Sequence, residues 1–578
     1  MGHIYSSAAE VLVWLGPDIN RETWLGCQIV QDFAPRLTKA FEERGPKCMD
    51  DCVGKTGFWM QEFGRHEFNK VEVNALNHLY ARKWFQRLWV VQEVVLAKRA
   101  NVVCGSSCFN WFHFESMALF LTSSGYSTVW SDRRIRLLGM EYVPPLAASV
   151  MVMGTLKSRF DYGRIPISEH DTLPEVSQMD TGMIIMAFFR ALEFLIACSR
   201  SFQATMPQDK VFAPAALLLH KFSGRITDET FRIDYSVPVR TLYVDTCTKI
   251  INNGKRLSLL NFVEDLALRQ LDGLPSWVPD FGSMLSWPLI NLRGLKGQRF
   301  KGLSGGPDCA PSASGGRLKA LGRQLDDISG LMSSSHRPDG FTGGGTFVDA
   351  PTLWLEFALS LGTSYLTGEP AIEAFIRTIV ADQVGNSDST ALRRLFRNYA
   401  LISLLRSNEL DAIFKSYSQQ TGIADRGSLV SSLLRMVSLN PDNCPSWPVL
   451  KAFEDQYGAS VVPAFAELLE CELNIQSGAN SDILATKDAY LSTDSRHLRC
   501  LMGRRLFRSR QGYIGLSPKS AIEGDEIWLL PGSDVPLILR PAEQHSAYVL
   551  VGSAYVHGIM YGELNVQQLG DLVSLTIV

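Results

Sequence analysis

Five consecutive apolar residues, Val11-Leu12-Val13-Trp14-Leu15, are stopped at once by Gly16-Pro17. A run this short and uniform, ended by a Gly-Pro break, reads as a buried strand rather than an amphipathic helix. Residues 1–9 ahead of it read as the last turns of a helix. A helix needs a surface to pack on, so a further upstream portion is expected. The alternation continues downstream. Residues 20–43 are helix-like, 47–64 form a Gly- and Cys-containing loop, and 68–80 read as a helix. Within 84–97, Leu88, Val91, Val95 and Leu96 fall near helical spacing, which predicts one buried face. Asn101-Val102-Val103-Cys104-Gly105 reads as the following strand. Helix and strand in turn point to an α/β layer.

Later segments change character. Residues 181–199 predict a long helix, and 209–220 another, started by Thr205 and Pro207 and kinked or shifted by Pro214. Asp234-Tyr235 precedes a helix over 238–252, and Leu274-Pro275-Ser276-Trp277-Val278-Pro279-Asp280 is a Pro-bounded extended segment. Residues 302–345 are rich in Gly, Ser and Pro and read as a linker. One ordered island within it, Leu318-Lys319-Ala320-Leu321-Gly322 continued over 325–328, predicts a strand. Residues 352–471 are mostly helical, with Leu392, Leu395, Ala400, Leu401 and Leu404 near helical period. From 504 onward, short β-type runs separated by Gly and Pro turns predict a small antiparallel sheet or partial barrel. A chain of 578 residues exceeds one core. The expected class is therefore α+β and multidomain. It comprises an α/β domain with its extension at 1–285, a linker with a strand at 286–350, a helical region at 351–500 and an antiparallel β subdomain at 501–578.

Charge and thiol content exclude several functional classes. The formal net charge of -3 gives no excess of cations to neutralise phosphates, so nucleic acid is not expected as a partner. Eleven cysteines, an odd number in a long chain, fit reduced thiols and a cytoplasmic setting better than a disulfide framework. Cys48/Cys52 and Cys104/Cys108 are C-x3-C pairs, but zinc sites favour tighter spacing or flanking His, and no metal is expected. The start lacks a charged head followed by an apolar run; Gly2 with Ser6 meets only the bare myristoylation pattern. Residues 183–198 are the most membrane-like, but Arg190 and Glu193 interrupt them, and a buried helix is expected instead of a membrane span. None of the ten histidines forms an H-E-x-x-H pattern, and no G-x-S-x-G elbow or phosphate loop is present. Thr342-Gly343-Gly344-Gly345 reads as linker and His557 as structural, and no cofactor is implied.

Several phrases, taken in order, resemble the fungal heterokaryon-incompatibility (HET) family. They are Ile4-Tyr5-x-x-Ala8-x-x-Val11-Leu12-Val13-Trp14-Leu15-Gly16, then the block Trp84-Phe85-Gln86-Arg87-Leu88-Trp89-Val90-Val91-Gln92-Glu93. Ala204 to Ala213, Asp234-Tyr235 and Leu274-Pro275-Ser276-Trp277-Val278-Pro279-Asp280 follow. Gly512-Tyr513-Ile514-Gly515, Gly524-Asp525, Leu539-Arg540-Pro541 and Tyr555-Val556-His557-Gly558 resemble the β-region that ends many members. Two features depart from the pattern. The family's opening L-W-I-D-x-x-C-I-x-Q block is absent, so a HET domain lacking its N-terminal part is expected, and Pro214 and Ala216 stand where the family tends to have Leu and Gly. The resemblance implies a Toll/interleukin-receptor-like α/β layer. It also implies a role in self/non-self recognition and programmed cell death, with a protein partner in that signalling. The alternatives are a NAD-cleaving Toll-like enzyme, or an inactive truncated copy that acts at most as an interaction module.

Glu93 is the first candidate for chemistry. A carboxylate in an otherwise apolar helix is costly unless paired. The structural reading is an ion pair with Arg82, Lys83 or Arg87. The resemblance adds a catalytic one, because some Toll-like domains use a Glu to cleave NAD. Trp89 and Gln92 flank Glu93 as binding candidates, with Trp89 equally at home in a core where its indole needs one acceptor. Asp209 lies in the first turn of a helix, where capping and the dipole account for a negative charge. Lys210 is expected to pair with Glu93 or with an anionic ligand.

Overall fold

The computed structural model describes residues 2–17, 21–44, 68–123, 148–161, 165, 176–263, 265–283, 300, 303, 309–332, 357–382, 452, 455, 504–543, 547–564 and 571–578. The chain forms two compact units. The first holds Met1–Glu264, Leu268–Leu285 and Pro311–Leu318; the second holds Asp265–Ala267, Ser286–Ala310 and Lys319–Val578. The loop at 47–64, Cys48/Cys52, the glycines at 343–345 and most of the expected helical region at 351–500 lie outside the described residues.

In the first unit, a short helix α1 (Gly2–Ser7) leads to strand β1 (Val11–Trp14). β1 runs parallel to β2 (Ala100–Cys104), with Val11 opposite Ala100 and Trp14 opposite Val103; β2 turns back antiparallel into β3 (Ser107–Asn110). The expectation that β1 is buried on both faces is corrected here. Val11 and Val13 are buried, but Leu12 is 62% exposed and Trp14 54% exposed, so the strand covers one face only. A uniformly apolar run hides this, because alternation of burial need not show as alternation of residue type.

Helix α2 (Arg21–Arg44) packs on α3 (Lys70–Tyr80) and on α5 (Trp111–Ser123). Gly26 permits the close α2–α3 approach: a Cβ there would lie 2.6 Å from the Ala75 carbonyl oxygen. Asn69 and Glu72 make a capping box that starts α3. The core between these helices is aromatic. Phe33, Phe68 and Phe120 meet edge to face, and Tyr80, Phe85 and Phe114 stack. The Tyr80 hydroxyl donates to the Phe114 carbonyl at 2.7 Å.

The single helix expected over 84–97 is broken in two. A 3-10 turn (Lys83–Gln86) is followed by extended backbone at Arg87 (φ -81°, ψ 133°) and then by the short helix α4 (Val90–Val95). The cause is a tertiary bond, since Leu88 N–H donates to the Gln203 carbonyl at 2.8 Å and Arg87 pairs with Gln203 in an isolated parallel bridge. Helix α6 (Ala148–Asp161) packs on α4 and α5.

Helix α7 (Thr181–Ser199), capped by Asp180, packs against α8 (Asp209–Lys221) and α9 (Val239–Gly254). By length and composition α7 is long and apolar enough to cross a bilayer, yet Ile184, Phe188, Leu192 and Leu195 are buried within the unit. Pro214 sits buried inside α8 without ending it. Trp277 is fully buried, with its indole donating to the Gly316 carbonyl at 3.0 Å.

The second unit is built on strands. Strand β4 (Ser312–Ser314), at the end of the first unit, turns through Gly315 and Gly316 (φ 56° and 74°) into the fifteen-residue β5 (Arg317–Leu331). The C-terminal strands are β6 (Arg504–Ser509), β7 (Ile514–Pro518), β8 (Glu526–Leu529), β9 (Leu537–Pro541), β10 (Ala547–Ser553), β11 (Tyr555–Val556) and β12 (Val573–Ile577). Pairing runs β5-β12-β10-β9-β8 and returns from β8 to β5, a closed ring of strands, while β6, β7 and β11 extend from β5. Bulges near Gln324/Asp326 and Ile328/Gly330 let β5 serve both parts. The island expected as a strand in the linker is thus a central strand of this sheet. The sheet is also mixed rather than antiparallel, because β10 and β12 run parallel. Ile328, Phe507, Ile527, Ile538, Val551 and Val556 fill its core. Helix α10 (Ala371–Ile379) packs against β7.

Candidate functional site

Glu93 lies in α4, half-buried, where apolar neighbours hold the helix down. Two polar side chains face it, the Tyr5 hydroxyl from α1 and the Trp84 indole from the 3-10 turn, and each favours its charged form. Burial pushes the Glu93 carboxyl above its ordinary value, and the Arg87 charge with the Trp84 and Tyr5 polar groups only partly offsets this. Tyr5 is likewise pushed up, first by burial and then by the negative charge of Glu93. Of the three cations expected near Glu93, Arg87 is the one whose charge acts on it.

Trp84 and Arg87 also line an open cleft of about 630 Å³, together with Trp14, Leu15, Gly16, Thr23, His78, Ala81, Arg82 and Lys83. The break before α4 makes this possible. A continuous helix over 84–97 would place Trp84 and Arg87 on a regular surface, whereas the extended turn at Arg87 lets one segment serve both the carboxylate and the cleft.

The other sequence candidates lie elsewhere in the unit. The Trp89 indole donates to Asp209 Oδ2 at 2.9 Å, and the Tyr235 hydroxyl donates to Asp209 Oδ1 at 2.6 Å. Asp209 is buried, and its carboxylate bridges two aromatic donors instead of capping α8. Burial, followed by the bond to Asp209, pushes the Tyr235 hydroxyl well up. The Gln92 amide donates to the Ala213 carbonyl at 3.1 Å and ties α4 to α8. Lys210, expected to pair with Glu93 or with an anionic ligand, is turned to backbone carbonyls and not to Glu93. Its ammonium donates to the carbonyls of Arg200, at 2.8 Å, and Phe202. Burial, with the Arg200 charge adding to it and Asp280 opposing, lowers the Lys210 pKa to about 8. Trp89, Gln92, Asp209 and Lys210 therefore fasten α4, α8 and the segment before α8 together. Tyr5, Trp84 and Tyr235 were not singled out from the sequence as site residues, although each stands inside a phrase quoted for the resemblance.

Cys104 is buried and Cys108 exposed, so this pair does not converge. Among the described residues, no group of three His, Cys, Asp or Glu side chains is placed to hold a metal. In the second unit His557 is bridged on both nitrogens, to the Tyr555 hydroxyl at 2.9 Å and to Glu369 at 2.7 Å. The Tyr365 hydroxyl donates to the His557 carbonyl, so the segment before α10 is bound to β11.

Comparison with known proteins bears on both ends of the chain. The family model described as "Heterokaryon incompatibility protein (HET)" matches residues 1–93, ending on Glu93. The "Het-6 beta-barrel domain" model matches residues 469–570. A relative from Neurospora crassa, "Heterokaryon incompatibility protein 6, OR allele", is 21% identical over 98% of this chain and 78% of its own length.

The chain carries a HET-family match at its N-terminal end and a Het-6 barrel match toward its C-terminal end.

The HET match takes in α1, β1, α2, α3, the 3-10 turn and α4 up to Glu93, so it spans every residue of the cleft. The barrel match takes in β6 to β11, while β5 and β12, which close the ring, fall outside it. No solved structure matches.

Proposed function

We infer that this protein acts in fungal self/non-self recognition and triggers programmed cell death when unlike partners meet. One observation carries the reading. A relative named for heterokaryon incompatibility aligns along 98% of the chain, and the family's own domain covers the part that builds the cleft. We take the protein to act in the cytoplasm through a protein partner. The test is expression of the full chain in fungal strains of differing incompatibility genotype. Loss of viability in some backgrounds and not others is expected, whereas full viability in every background would contradict the reading.

A second reading, NAD cleavage by a Toll-like layer, draws on Glu93. A carboxylate with a raised pKa, faced by Tyr5, Trp84 and Arg87, the last two of which line a cleft of small-molecule size, is an arrangement suited to acid/base or charge-stabilising chemistry. Under this reading, expression depletes cellular NAD and Glu93→Gln abolishes the depletion. Unchanged NAD at full expression counts against it.

A further inference from the structure

The cleft beside Glu93 has a composition that the carboxylate alone does not account for. Arg82, Lys83 and Arg87 line it together with His78, and among the described lining residues no side chain is a carboxylate. Three cationic side chains lining one concavity, of which Arg87 also acts on Glu93, make a wall that favours an anion. Arg82 is fixed in place, since its guanidinium donates to Thr23 Oγ1 at 2.9 Å and to the Pro17 carbonyl at 3.4 Å.

The wall also carries two indoles, Trp14 and Trp84. Trp14 is 54% exposed at the end of β1, where it adds little to the core, yet large aromatics are usually covered. Gly16 follows it at φ 96°, a conformation that suits glycine, and leaves bare backbone where a Cβ would stand 3.8 Å from the Arg82 guanidinium. Flat apolar faces beside converging cations match a ligand with a flat ring at one end and phosphate at the other. The volume, about 630 Å³, suits one small molecule rather than a polymer strand.

We propose that this cleft binds a nucleoside phosphate, with the phosphate held by Arg82, Lys83 and Arg87 and the base stacked on Trp14 or Trp84. The proposal deepens the second reading, from which it takes the cleft, but it requires no cleavage.

The test is calorimetric titration of the full-length protein with AMP, adenosine and inorganic phosphate in turn. AMP binds, while adenosine and phosphate each bind at least about tenfold more weakly, because each keeps only one half of the recognition. Added salt weakens AMP binding. Lys83→Gln and Trp14→Ala, both at exposed positions, each weaken it about tenfold with thermal midpoints unchanged, and Lys83→Arg and Trp14→Phe retain most of it. Several results overturn the proposal: no binding of AMP, AMP binding indifferent to both substitutions, phosphate binding as tightly as AMP, or an acidic peptide binding where AMP does not. AMP binding without any loss of NAD on incubation leaves the proposal standing and removes the cleavage reading alone.

Discussion

Lys210 shows how a single side chain changes meaning once its surroundings are known. From the sequence it is a cation available to Glu93, but in the fold it donates to two backbone carbonyls. Its pKa falls to about 8 because burial disfavours the ammonium, so the folded protein binds this proton less tightly than the unfolded chain does. A depressed folded value means that the associated stability is lost as pH falls through about 8 and is fully present above the unfolded value. Relative to Lys210→Met, the native protein should therefore gain stability as pH rises from about 8 to the ordinary lysine range, measured by urea unfolding at stepped pH. A constant difference across that window would place the ammonium in solvent. Asp209 teaches the same lesson. Its position in a first turn is legible from sequence, but its two aromatic donors are 120 and 26 residues away in the chain, and no local rule finds them.

Elements were more legible than contacts. The helices over α7, α8 and α9 are expected at 181–199, 209–220 and 238–252, the second from Thr205 and Pro207, and the structure places them within a residue or two. Two misreadings have physical causes. β1 carries apolar residues on both faces but is covered on one, and the Trp84 block is split by a bond from Leu88 to a partner more than a hundred residues on. The α2–α3 contact yields a prediction against propensity. Alanine is the better helix former by about 1 kcal/mol, yet Gly26→Ala puts a methyl 2.6 Å from the Ala75 carbonyl oxygen. The helices must separate, so a net loss of about 1–3 kcal/mol is expected in chemical denaturation. A gain in stability would mean that the two helices do not approach so closely.

For the whole molecule, the sequence signalled an α/β beginning and a β-rich end but could not show how the second closes. The strand in the Gly-rich stretch, β5, joins the C-terminal strands across more than 170 residues of chain, and pairings that distant leave no periodic trace. Closure makes every ring strand necessary, because an open edge exposes unpaired backbone groups. A stop after Asp571 keeps all of the barrel-family match but removes β12. Such a chain is expected to lose cooperative unfolding of the second unit and to become protease-sensitive there. A native unfolding transition without β12 would show that the ring is not what stabilises this unit. The first unit bears the functional argument, since its family match ends on Glu93 and encloses the cleft. The decisive measurement is viability of an incompatible fungal strain expressing either the native protein or Glu93→Gln at matched abundance. Death with the native chain and survival with a folded Glu93→Gln variant are predicted, and equal death with both would remove Glu93 and its cleft from the function.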